Sequence, residues 1–239
     1  MSSAAFDGRT ASRRFSGVAL VCAFAMLTLC VFTFTKHRIG QNVRSRYVTV
    51  ERFVDHGTMS HADASSIDTV QVDGKYYSSK PPNYSLILSA EAYLAKLVSG
   101  WGLSDHEEFY LTFLVIVNQI IPYAFVLWAT AIYINRYSDN PWTRTYAMLA
   151  STFGVLPFGY AVTLNNHTPT AFFLVLALIV LVRMRHEGHD DWRHAVVLGM
   201  LVSFAASFEL SAATFAVAFI AMAGSPRLIA YAIGGAFIP

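Results

Sequence analysis

Apolar and polar positions along this chain fall into long blocks rather than short alternations. The first apolar block covers residues 16–35 and follows a polar arm, residues 1–15, that carries Arg9, Arg13 and Arg14. Crossing a bilayer takes about 20 apolar residues, and a cleaved signal peptide has a shorter core. The block therefore predicts a first membrane helix with its N-terminus in the cytoplasm. Further spans are predicted at 109–135, 145–164 and 168–184, with Pro122 and Pro157 expected to kink their helices. The block 195–224 is broken only by Glu209 and scattered serines, and thirty residues exceed one untilted span. With Arg227 beyond it, the pattern predicts two short helices that turn near Glu209; a single tilted helix is the rival reading. A last apolar run begins around Leu228 and is too short to cross before Pro239, so the sequence reads as the N-terminal part of a longer protein.

Residues 36–108 interrupt this pattern. Seven Lys or Arg and five Asp or Glu fall between Lys36 and Lys80. From Ser45, predicted as an N-cap, Tyr47, Val50, Phe53 and Val54 share one helical face, with Arg46, Glu51, Arg52 and Asp55 on the other side. Gly57 is the expected stop. Such a helix lies along a membrane surface rather than across it. Ile67, Val70 and Val72 then alternate with polar residues up to Asp73-Gly74, and Tyr76 and Tyr77 follow, which predicts a two-stranded hairpin. Pro81-Pro82 opens a helix over residues 83–98.

That helix is apolar but holds Glu91 and Lys96, and loop charge decides how it runs. The short loops 136–144 and 183–194 carry Arg136 and Arg144, and Arg183, Arg185 and Arg193, whereas the turn at 164–168 has no Lys or Arg. If residues 83–98 crossed, both basic loops would lie outside with the long loop, against the positive-inside tendency. The helix is therefore expected to lie at the interface or dip in partway, leaving 36–108 as one extracytoplasmic loop and 109–239 as the helix bundle.

Composition agrees. The chain is 55% hydrophobic and 13% charged, against roughly 25% charged in soluble domains, and its mean hydropathy is +0.45. A net charge of +2, with no basic patch interleaved with stacking aromatics and no Gly-rich phosphate loop, points away from nucleic acid as a partner. Cys22 and Cys30 sit eight residues apart in the first apolar block, too far to bridge within one helix, and read as small hydrophobes. His186, His189, Asp190, Asp191 and His194 supply ligand types without a regular metal spacing and read as a solvated cytoplasmic loop. No metal or other cofactor is called for.

The stretch Gly74-Lys75-Tyr76-Tyr77-Ser78-Ser79-Lys80-Pro81-Pro82 resembles a motif of integral-membrane glycosyltransferases of the GT-C superfamily, in the protein-mannosyltransferase and aminoarabinose-transferase branch. Arg46-Tyr47 before a short amphipathic helix and Gly57 fits the same pattern, as does a polar group where a later helix ends outside, here Asn165-Asn166-His167. The likeness covers about residues 16–224. It implies an all-α multi-pass protein of the plasma (inner) membrane, a GT-C-like helix bundle whose partly helical first loop packs over the active site. The implied activity is transfer of a sugar from a polyprenyl-phosphate donor to an acceptor on the extracytoplasmic side. The family's catalytic acid precedes the Arg-Tyr pair; here the matching positions are about Val43 and Arg44, preceded by Asn42.

Such a transfer needs a base for the acceptor proton and cations for the leaving phosphate. The loop carboxylates are Asp55, Asp63, Asp68 and Asp73. Asp68, in an apolar-flanked strand near the twin prolines, is the candidate base, against the alternative of a solvated loop acid; Asp73 reads as a turn residue. Lys80, Arg44 and Arg46 are the candidate donor-phosphate ligands, against surface cations at the interface. Tyr77 is a candidate sugar contact, with Tyr76 and Tyr77 as membrane-interface anchors the alternative. Asn165, Asn166, His167 and Glu209 are polar groups at the ends of or within apolar blocks and complete the candidate substrate site. Two rivals stand beside the enzyme: a non-catalytic membrane protein of the same fold, and a transporter component, which the lack of internal repeats disfavours.

Overall fold

The computed structural model describes residues 16–35, 40–62 and 68–239. Expectations for the arm 1–15, for Lys36 and for Asp63 and Ile67 lie outside the described residues. The chain is mostly helical. Helix α1 (Ser16–Thr35) is followed by α2 (Gln41–His56), the strands β1 (Thr69–Val72) and β2 (Lys75–Ser78), and α3 (Pro82–Ser99). Next come α4 (Glu107–Val115), a π-helical turn (Ile116–Ile120) and α5 (Ile121–Tyr137), which form one continuous rod. The remaining helices are α6 (Pro141–Phe153), α7 (Leu156–Tyr160), α8 (His167–His186), α9 (Trp192–Phe208), α10 (Ala213–Ala221) and α11 (Pro226–Ala236). The rod Glu107–Tyr137 and the helix His167–His186 are each long and apolar enough to cross a membrane, and Gly17–Thr33, Trp192–Phe208 and Leu210–Ala221 are shorter apolar helices.

Several expected boundaries shift for local reasons. Helix α2 is capped at Gly40 rather than at Ser45, which lies inside it and is fully buried. Its hydroxyl bonds the Ser78 hydroxyl at 2.7 Å and the Asp68 carbonyl at 3.1 Å, tying α2 to the hairpin. Gly57 ends the helix in the left-handed conformation, φ 68°, which a glycine adopts without strain. The expected two-faced helix becomes buried on more than its apolar side: Tyr47 and Val50 are in the core, Phe53 is exposed, and Arg46 is buried. The hairpin pairs antiparallel in the register Val70 with Tyr77 and Val72 with Lys75. Asp73 (φ 48°) and Gly74 (φ 77°) make its turn, which needs two positive φ values.

The predicted span at 145–164 is not one helix. Helix α6 stops at Gly154 after 13 residues, about 20 Å at 1.5 Å per residue, and α7 restarts beyond it with Pro157 in its first turn. Pro122 lies two residues beyond the end of the π turn, where the missing N–H leaves the regular ladder broken. The block 195–224 does divide into two helices, α9 and α10, joined at Glu209 through a single 3₁₀ turn (Leu210–Ala212).

Two ends of the helix bundle are distinct. At one, Arg136 pairs with Glu187, Gly224 lies beside the Arg185 guanidinium, and Gly17 packs against Thr145. At the other, the 161–166 turn, the 209–212 turn, α2 and the hairpin meet. Helices α9 and α11 approach backbone to backbone: a methyl group on Gly199 would lie 1.8 Å from the Ala232 carbonyl oxygen, and one on Gly235 2.2 Å from that of Val196. Small residues at the crossing permit this close backbone approach.

Candidate functional site

The second end of the bundle holds a cavity of about 460 Å³ whose wall includes Asn42, Arg46, Lys80, Asn165, Asn166, His167 and Glu209. Four separate parts of the chain supply it. Helix α2 presents Arg46 from its buried flank. The hairpin and Pro81 hold Lys80 in the wall. The turn before α8 supplies Asn165, Asn166 and His167, and the break between α9 and α10 supplies Glu209.

Arg46 is the most constrained of these. Its residue is 4% exposed, its Nη2 donates to Asn166 Oδ1, and its guanidinium lies 5.9 Å from the Tyr84 ring centre. Burial pushes its pKa below the ordinary value, with Tyr84, Asp68 and Glu209 acting in the opposite direction; an arginine stays charged through such a shift. Among the described residues, no carboxylate oxygen lies within 4 Å of it. A buried cation without a direct ion pair is costly, and here it borders an open cavity.

Asn166 also donates through Nδ2 to the Phe208 carbonyl at 3.0 Å, so it joins α2 to the end of α9. Asn165 turns inward to shape its own loop: Nδ2 donates to the Tyr160 and Thr163 carbonyls, both at 2.7 Å, and Oδ1 accepts from the His167 backbone N–H at 2.8 Å. That last bond holds the first residue of α8. His167 Nδ1 in turn lies 2.8 Å from Glu209 Oε2, and Ser211 Oγ donates to Glu209 Oε1 at 2.9 Å. A neutral ring that donates Nδ1–H to this carboxylate would carry its lone pair on Nε2. A second cavity of about 410 Å³, walled by Pro157, Leu174, Ala212 and Phe215, shares Tyr160, His167 and Glu209 with the first. The His–Glu pair thus stands between two cavities.

The other sequence candidates fall outside the cavity wall. Asp68 Oδ1 accepts from Lys80 Nζ at 3.1 Å, with both side chains about three-quarters buried. The carboxylate therefore serves first as the counter-ion of Lys80. Arg44 points to Glu107, 3.3 Å away, in an exposed pair. Tyr77 is a half-buried strand residue opposite Val70. Asp55 takes a structural role: Oδ1 accepts from Lys96 Nζ at 2.6 Å and Oδ2 from the Leu103 N–H at 2.9 Å, fixing the 100–106 loop.

Two supporting residues escaped the sequence reading. Gln119, fully buried in the π turn, donates through Nε2 to Tyr84 Oη at 3.0 Å and to the Asn165 carbonyl at 2.8 Å. It links α3, the rod and the site turn. Its neighbour Asn118 donates to Glu91 on α3. The signal was present: two adjacent amides inside an apolar block, three residues before a proline. Asn42, which in the sequence merely precedes Val43 and Arg44, lines the cavity together with Val43. His, Cys, Asp and Glu side chains do not gather into a metal-binding group among the described residues. Comparison of the chain with family models, with curated proteins and with solved structures gives no match.

Proposed function

We propose that this chain is a multi-pass membrane glycosyltransferase of the GT-C type, which takes a sugar from a polyprenyl-phosphate donor on the extracytoplasmic side of the plasma (inner) membrane. The observation that carries the reading is Arg46: a buried guanidinium with no carboxylate within salt-bridge distance among the described residues, facing a cavity that also contains Lys80. A phosphate would supply the missing anion and can take two parallel N–H bonds from arginine. The membrane assignment is supported by the two helices long and apolar enough to cross. The Arg136, Arg183 and Arg185 end of the bundle then faces the cytoplasm.

Within this proposal, His167 rather than Asp68 takes the acceptor proton. As the acceptor oxygen bonds to the anomeric carbon, its proton passes to His167 Nε2, and Glu209 stabilises the resulting imidazolium. The bond from the anomeric carbon to the phosphate oxygen breaks, its electron pair leaves with the phosphate, and Arg46 and Lys80 balance the added charge. Two cavities meeting at a His–Glu pair suit a reaction with two substrates. The test is binding of polyprenyl phosphate to the purified chain. Arg46→Gln is expected to weaken it at least tenfold; equal binding by wild type and variant would remove the proposal's foundation.

A non-catalytic protein of the same fold is the second reading, favoured by Val43 and Arg44, neither of them acidic, at the positions that match the family's acid. It predicts binding of the lipid phosphate with no sugar release.

A further inference from the structure

A groove of about 650 Å³ runs between α5, α8 and α9 at the end of the bundle opposite the Arg46 cavity. Along α5 it is walled by Phe125, Trp128, Ile132 and Tyr133 at helical spacing and closes at Arg136. Leu176 and Ile179 form the facing wall, which ends at Arg183 and Glu187. From Phe125 to Arg136 is eleven residues, about 16 Å at 1.5 Å per residue. That is close to half of the roughly 30 Å hydrocarbon thickness, the depth of one leaflet. Trp128 is 56% exposed and Val197 42%, so the walls have apolar surface left to cover.

The charges gather at one end only. Arg136 is paired with Glu187. Arg183 is exposed, and among the described residues no carboxylate oxygen lies within 4 Å of it. Two arginines against one glutamate leave a single positive charge at the rim, with guanidinium donors at the level where a phosphate diester would sit.

We propose that this groove binds one anionic phospholipid of the cytoplasmic leaflet, with an acyl chain along the Trp128 and Leu176 walls and the phosphate on Arg183 and Arg136. One leaflet of apolar length capped by one net positive charge matches a lipid with one net negative charge. A zwitterionic lipid brings its own cation to the same rim and loses the match. The site rests on the chain being embedded in a bilayer, but not on sugar transfer, since its residues are separate from the Arg46 cavity.

The experiment reconstitutes the chain into vesicles of phosphatidylcholine with and without phosphatidylglycerol, checks insertion by flotation, and measures retained lipid by native mass spectrometry. Wild type is expected to retain one phosphatidylglycerol at least fivefold over phosphatidylcholine. Arg183→Gln should abolish the preference, and Leu176→Trp, which fills the groove without touching charge, should lower retention of both lipids. Equal retention by wild type, or a disulfide formed between two copies carrying Trp128→Cys, would overturn the site while leaving the membrane assignment in place. Failure to float with the vesicles would overturn both.

Discussion

Arg46 on the second helix donates a hydrogen bond to Asn166, 120 residues further along, at the turn that opens α8. The same asparagine holds the carbonyl of Phe208, so one amide orients the buried cation and fixes the floor of the cavity around it. Its amide oxygen gives the guanidinium a partner without cancelling its charge. An aspartate there would still accept from Arg46 but could not donate to the Phe208 carbonyl, and it would neutralise the site.

Asn166→Ala should leave a guanidinium N–H and the Phe208 carbonyl short of a partner. The expected loss is about 1–3 kcal/mol of stability, read as a lowered thermal midpoint in detergent. Asn166→Asp should recover the contact with Arg46 but not the bond to the Phe208 carbonyl, and should weaken polyprenyl phosphate binding, because the carboxylate competes for Arg46.

Asp68 and His167 separate by substitution. Asp68→Asn releases Lys80 from its 3.1 Å pair, and should maintain or tighten binding of polyprenyl phosphate. His167→Gln should leave that binding within twofold and slow sugar release from a polyprenyl-phosphate-linked donor by about 100-fold or more, the usual range for loss of a general base. The opposite pattern, with Asp68→Asn inactive and His167→Gln active, would return the proton to Asp68.

Glu51, on the loop-side helix, predicts a pH dependence. Burial pushes its pKa above the ordinary carboxylate value, and Asp55 adds to the shift. The folded state therefore holds this proton at pH values where the unfolded chain has released it, and stability contributed by the group falls as pH rises through that window. Glu51→Gln should stabilise the protein at pH 7, by less than about 1 kcal/mol given the solvent screening of a partly exposed group. At pH 4 and below the gain should vanish. Thermal midpoints of both proteins across this range decide it.

Gly199→Leu tests the α9–α11 approach. No side chain fits between Gly199 and the Ala232 carbonyl, so the helices must separate. Overpacking of this kind costs about 1–3 kcal/mol or more, and the variant should show protease cleavage in the 222–225 turn that wild type resists. None of the residues at this crossing lines the Arg46 cavity, and lipid-phosphate binding at low temperature should survive.

Much of the local structure was legible in the residues. Asp73-Gly74 specifies a hairpin turn because both positions need positive φ, Gly57 stops α2 for the same reason, and Pro82 starts α3 where its missing N–H costs nothing. The apolar blocks of α8 and the 107–137 rod are long enough that periodicity and length agree. Where the chain departs from this reading, short-range signals competed: Gly154 and Pro157 break a block whose hydropathy is continuous, and Ser45, a good cap by type, is taken by the hairpin instead.

What only the tertiary structure decided is who meets whom at the cavity. The sequence marks Arg46, Lys80, Asn166, His167 and Glu209 as polar groups in apolar surroundings, but their pairings span up to 120 residues, and no helical or strand period carries information that far. Arg44 and Arg46 have the same chemistry and differ by two residues. On a helix that is a rotation of about 200°, enough to send one to Glu107 and solvent and the other into the interior. Which of them becomes the buried cation depends on where α3 and the 161–166 turn come to rest against α2, and that is fixed by packing, not by pattern.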